Sequence, residues 1–159
     1  MKIDIEGMDG VCLDVLAGIA PRPRYLSIES LTMFNMRPLA DFDRLVALGY
    51  DAFQVVRQGS VPRQREPDPA REGRHSGLAL THYASGLFGA DLPPAGWTGV
   101  AATRRRLATL ALKTAALSPQ GPLRAVPGHA TAKRWLDDRI GRDAVSWYDT
   151  HARHRDTAP

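Results

Sequence analysis

Alternation and helical spacing along the chain trade places in a regular order. Lys2-Ile3-Asp4-Ile5-Glu6 alternates apolar and charged residues, as a strand does, and Gly7 then turns the chain into a helix over Met8 to Gly18. In that helix Val11, Cys12, Val15, Leu16 and Ile19 recur at helical spacing opposite Asp9 and Asp14, which predicts an apolar face packed on a sheet. Pro21 and Pro23 close it, and Arg24 to Ser30 reads as a second strand ending near Glu29. Leu39, Phe42, Leu45, Val46 and Leu48 make a second amphipathic helix, with Asp41 and Asp43 in its first turn and Gly49 at its end. Tyr50 to Gln58 is a third strand. This β-α-β-α-β alternation predicts an α/β fold with a parallel or mostly parallel sheet covered by helices.

The rhythm breaks at Gly59 to Ser76, where Pro62, Pro67, Pro69 and four arginines accompany only Val61 and Ala70 as apolar residues. Too little apolar surface is available there to offset the entropy of ordering, so a mobile surface insertion is expected. Gly77 to Gly99 is irregular, with Phe88 and Trp97 as anchors. Val100 to Leu117 is helical, Ser118 to His129 is loose, and a short helix is expected around Lys133 to Ile140. Val145 to His151 reads as a fourth strand, and 152–159 as a polar tail. The whole of 1–159 is read as one domain.

Composition changes this picture little. The chain has 159 residues, 43% of them apolar and 24% charged, which is ordinary for a globular domain. The single Cys12 excludes an intramolecular disulfide and reads as a buried small hydrophobe, in keeping with a cytoplasmic location. No run of about 18 apolar residues and no basic-then-apolar leader is present, so neither a membrane span nor a secretory signal is expected. The net charge of +4 comes largely from scattered arginines and from Arg104-Arg105-Arg106, which reads as a solvated helix face or a patch for phosphate or an anionic substrate. Without interleaved aromatic residues, nucleic-acid binding is the weakest reading.

The candidate chemistry lies at strand ends. In open α/β sheets ligands sit where strands give way to helices, and Asp4, Glu6 and Glu29 are all placed there. A carboxylate at such an edge can accept a hydroxyl's proton or hydrogen-bond a substrate hydroxyl, although Glu6 could equally cap the helix that follows. Their convergence at one edge is expected. His151, expected to end the last strand with Asp149 two residues before it, is the best histidine candidate for acid–base work. His75, His82, His129 and His154 show no metal-ligand spacing, and no zinc signature, Walker loop, G-x-S-x-G or G-x-G-x-x-G is present.

Lys2-Ile3-Asp4-Ile5-Glu6-Gly7, followed by Pro23-Arg24-Tyr25-Leu26-Ser27-Ile28-Glu29, resembles the "K-I-D-[VI]-E-G … P … E" core of the FkbM family of S-adenosylmethionine-dependent methyltransferases. Leu48-Gly49-Tyr50, Ser85 to Gly89 and Trp147 to Ala152 extend the resemblance in scattered pieces. It implies a Rossmann-like seven-stranded sheet in the order 3-2-1-4-5-7-6 with the seventh strand antiparallel, the strands here resembling the fourth to the seventh. It further implies O-methyl transfer to a hydroxyl of a sugar or secondary metabolite, with Asp4 or His151 as base, Glu6 beside them, and Glu29 and Asp149 shaping the substrate pocket. The glycine-rich loop and the ribose-binding acid of such enzymes have no counterpart in the sequence. The chain therefore resembles a C-terminal, substrate-side portion, and little or no S-adenosylmethionine binding is expected of it alone. A second polypeptide completing the sheet, or a catalytically silent interaction module, are the readings that follow from that gap.

Overall fold

The chain is described by a computed structural model over residues 1–5, 8–31, 38–117, 122–131, 134–135 and 147–157. Its strands are β1 (Lys2–Ile3), β2 (Tyr25–Leu31), β3 (Tyr50–Arg57), β4 (Thr98–Gly99) and β5 (Tyr148–His154). Three helices accompany them: α1 (Asp9–Leu16), α2 (Pro38–Ala47) and α3 (Val100–Leu117). Glu6 lies outside the described residues, as does nearly all of the helix expected at Lys133 to Ile140.

The strands form one open mixed sheet in the order β1-β2-β5-β3-β4. Only β1 and β2 pair in parallel; β5 runs antiparallel to both β2 and β3, and β4 is antiparallel to β3. The expectation of a mostly parallel, four-stranded sheet is therefore corrected. Helical crossovers do make β1, β2 and β3 run the same way, but the last strand inserts antiparallel between β2 and β3, and the two-residue β4 adds a fifth strand beyond β3. Strand β5 also runs on to His154, where the sequence suggested an end at His151 and then a polar tail.

Strand alternation divides the sheet into two unlike faces. Ile3, Leu26, Ile28, Phe53, Val55 and Ala152 point to one of them and are buried under Leu13 and Leu16 of α1, Phe42 and Leu45 of α2, and Leu107 of α3. The Phe42 and Phe53 rings meet at 4.7 Å between centroids. Each large side chain fully buried here contributes about 1.5–3 kcal/mol of transfer free energy, which makes this layer the main source of stability. The other face carries Ser27, Glu29, Gln54, Asp149 and His151. An irregular segment covers it: the Phe88 ring lies 6.1 Å from His151 and 6.4 Å from Tyr25, and the Gln54 Nε2 donates to Pro93 O at 2.8 Å.

The arginine- and proline-rich insertion contains a 3-10 helix over Gln58–Arg63 and is fastened by side-chain acceptors. Gln64 Oε1 accepts from Leu87 N at 2.8 Å, Glu66 Oε2 from Ser76 N at 2.8 Å, and Asp91 Oδ1 from the amides of Arg71 and Glu72. Val61, one of its two apolar residues, is fully buried. Polar contacts to a later loop thus order a segment that apolar burial alone would not.

Helix α1 is rotated from the face its apolar count suggests. Its buried residues are Asp9, Leu13 and Leu16, whereas Val11 and Val15 are more than half exposed. Gly10 and Asp14 face Arg44 of α2, so Met8, Val11, Val15 and Ile19 form an exposed stripe on the side of α1 turned away from α2. That stripe adjoins the open edge of β1, where Met1 and Ile5 are also exposed.

Candidate functional site

Register sets the site. Lys2 pairs with Ser27, Ser27 with His151, and Glu29 with Asp149, so all five side chains stand on the face opposite the helices. Strands β1 and β2 end, and β5 begins, at the same edge. This brings Asp4 and Glu29 to one edge, as expected of those two, and adds Asp149 from the start of β5, with Lys2 between the strands. The Lys2 ammonium lies 3.1 Å from Asp149 Oδ2 and 3.4 Å from Asp4 Oδ2.

The charges differ in their surroundings. Burial pushes the Asp149 carboxyl above its ordinary range, although Lys2 and the Gln58 amide pull it back. Burial also raises Glu29, and the neighbouring charges of Asp4, Asp149 and Asp9 add to the rise. For Lys2, burial opposes the charged form, but the two carboxylates together outweigh it and the pKa is raised. Asp4 is the outermost member, with a side chain 49% exposed.

Asp9 holds this edge together from beneath. Its carboxylate is 3% exposed, and it accepts Ile5 N at 3.0 Å through Oδ1 and Glu29 N at 3.1 Å through Oδ2. A strand end has backbone donors without ladder partners, and one buried carboxylate satisfies a donor on each of two strands. Its signal in the sequence is position: the first residue of a helix that follows a strand directly.

His151 does not end a strand. It lies in the middle of β5, one alternation inward from Asp149, beneath Phe88. Burial lowers its pKa to about 4, with the Lys2 charge adding to the effect, so the ring is neutral at pH 7. Its Nδ1 and the Ser27 Oγ have no hydrogen-bond partner among the described residues. His75 faces Glu66 in the insertion and His154 faces Asp156 beyond β5, both away from the carboxylate edge.

Among the described residues no group of three or more His, Cys, Asp or Glu side chains is arranged to hold a metal ion, and no helix is long and apolar enough to cross a membrane. The Lys2, Asp4, Glu29 and Asp149 cluster offers carboxylate acceptors and an ammonium donor, a set that suits the hydroxyls of a polyhydroxylated ligand. No protein-family model matches this chain, and no curated protein or solved structure matches it.

Proposed function

We propose that the chain forms the acceptor side of an S-adenosylmethionine-dependent methyltransferase that acts on a hydroxyl of a sugar or secondary metabolite. The observation that supports this most is the strand order β1-β2-β5-β3, with the last strand antiparallel between two strands of like direction. It is the order 4-5-7-6 implied by the FkbM resemblance. The Lys2, Asp4 and Glu29 positions that carry the resemblance also meet at one edge of the sheet.

In this reading Asp4, the exposed member, accepts a hydrogen bond from the acceptor hydroxyl and orients its oxygen. Glu29, with its raised pKa, is the better proton acceptor as that oxygen loses its proton. Lys2 and Asp149 hold the two in place. The sequence has no counterpart of the glycine-rich turn or of the ribose-binding acid that the resemblance implies for the methyl donor. No step on the donor is therefore assigned to this chain.

The test is a titration of the isotope-labelled chain, followed by amide resonances, with a panel of sugars and hydroxylated secondary metabolites. An acceptor should move the Ile5, Glu29 and Asp149 resonances together, and Asp4→Asn should weaken that response about tenfold, the effect of losing roughly one charge-assisted hydrogen bond. S-adenosylhomocysteine alone should bind weakly in calorimetry. If no hydroxyl compound moves those resonances, the reading falls and the cluster is a structural ion network.

A further inference from the structure

Two buried polar atoms on the face opposite the helices lie side by side without a partner. Ser27 is fully buried and His151 is 3% exposed, and the β2–β5 register sets them directly across from each other. Neither Ser27 Oγ nor His151 Nδ1 makes a hydrogen bond among the described residues. Directly opposed residues of an antiparallel pair hold their Cβ atoms about 4.5–5.5 Å apart, so one small group can reach both side chains. A lone buried hydroxyl such as Thr150 Oγ1, on the helix-covered face, has no such neighbour across its register: Ile28 and Val55 flank it. Polar atoms held away from water without a partner cost stability, and a group that completes both of them at once recovers that cost.

The pair is selective in what it can take. Burial keeps the His151 ring neutral, so it offers an anion no counter-charge, and the nearby Lys2 charge that disfavours a proton on the ring disfavours any other cation there. A hydroxyl both donates and accepts. It therefore complements Ser27 Oγ and a neutral imidazole nitrogen together, whichever ring tautomer is present.

Phe88 closes the pair from above. Its ring lies 6.1 Å from His151 and meets Tyr25 edge-on at 6.4 Å. The backbone beside it is fixed, because Gln64 Oε1 accepts from Leu87 N at 2.8 Å and Phe88 O from Asp91 N at 3.1 Å. The half-buried ring itself is held by packing alone and can turn aside about its own side-chain bonds without breaking either contact.

We propose that Ser27 and His151 form a buried binding site for a neutral hydroxyl group of a small alcohol or polyol, covered by the Phe88 ring, which turns aside to admit it. The proposal does not rest on methyl transfer, since the pair lies one alternation inward from the carboxylate edge and uses none of its acids.

Titration of the histidine-labelled chain with ethylene glycol, followed by the ring nitrogen resonances, tests it. The His151 signals should move along a saturating curve, while His75 and His154, which face Glu66 and Asp156, should show only the drift of the bulk solvent. Acetate and tetramethylammonium should leave His151 unmoved. Ser27→Ala should abolish the curve and at the same time raise the thermal midpoint, because it removes a buried hydroxyl that has no partner in the folded chain. Phe88→Ala should saturate at lower glycol concentration, since the closed ring no longer competes. Asp4→Asn should leave the His151 curve unchanged, so that failure here and failure of the acceptor reading are told apart. A lower midpoint in Ser27→Ala would mean that its hydroxyl is already satisfied by a trapped water, and would overturn the proposal. So would His151 shifts that acetate reproduces, shifts no larger than those of His75, or a Phe88→Ala curve identical to that of the parent.

Discussion

The Lys2 ammonium meets Asp149 Oδ2 at 3.1 Å, an ion pair that joins the first strand to the last across the intervening β2. Asp149 is 2% exposed, so without Lys2 its charge would be left in a poor solvent. Removing one partner of a buried pair costs about 3–5 kcal/mol; because Lys2 keeps a quarter of its exposure, Lys2→Met should cost nearer about 2–3 kcal/mol in urea unfolding. The double variant Lys2→Met, Asp149→Leu should recover most of that loss. A double variant no more stable than the single would show that Lys2 contributes through something other than this pair.

Acid should weaken the fold through His151. Its folded pKa is about 4 against an ordinary 6.5, so the unfolded chain binds the extra proton first as pH falls. The stability this neutral ring confers is complete above pH 6.5 and is lost between 6.5 and 4, a loss of about 3 kcal/mol. Asp149 works in the other direction, because its raised pKa means that protonation relieves a cost in the folded state. Urea midpoints across that range should slope steeply in the parent and much less in His151→Gln. Identical slopes would place the acid sensitivity elsewhere.

Asp9→Ala should leave the Ile5 and Glu29 amides without an acceptor and cost about 3 kcal/mol, on the scale of roughly two buried hydrogen bonds to a charged group. Asp9→Asn retains one acceptor oxygen and should cost about half as much on the same scale. Hydrogen exchange reads the cause directly: both amides should exchange faster in Asp9→Ala, ahead of the centre of β2. Unchanged exchange at Glu29 would show that its donor is satisfied in another way.

Gly49 closes α2 with φ at +97°, and a Cβ there would lie 2.7 Å from His154 Nε2. Gly49→Ala should therefore cost about 2 kcal/mol through backbone strain and displacement of His154, lowering the thermal midpoint by about 4–8 °C for a chain of this size. Gly18→Ala is the matched control, since a Cβ there meets nothing nearer than Val15 O at 3.7 Å. Equal losses in the two variants would refute the assignment.

How far the sequence could be read depended on whether local pattern or long-range pairing decided the outcome. Helix α3 spans Val100–Leu117 as its spacing suggests, and β2 and β3 match their periodic runs to within a residue at each end. The insertion of β5 between β2 and β3 leaves no periodic mark, because the antiparallel partners of Tyr148 to His154 lie far away in the chain. That placement moved His151 from a strand end to a buried mid-strand position. In α1 the apolar residues outnumber the places available on the sheet, and Asp9 takes one of those places through its bonds to Ile5 and Glu29. Asp4 and Glu29 were legible as neighbours at one edge because they follow from the direction of β1 and β2 alone; the meeting of Lys2 with Asp149 was not, since it depends on where β5 inserts.

The exposed stripe of Met8, Val11, Val15 and Ile19 beside Met1 and Ile5 bears on how the protein would behave toward fluorescent probes. Contiguous apolar surface of this kind binds anilinonaphthalene dyes whether or not the chain around it is ordered. The native chain should brighten such a dye while keeping the near-ultraviolet dichroism of its packed aromatic residues. Dye emission by itself would thus mistake a folded protein for a loosened one.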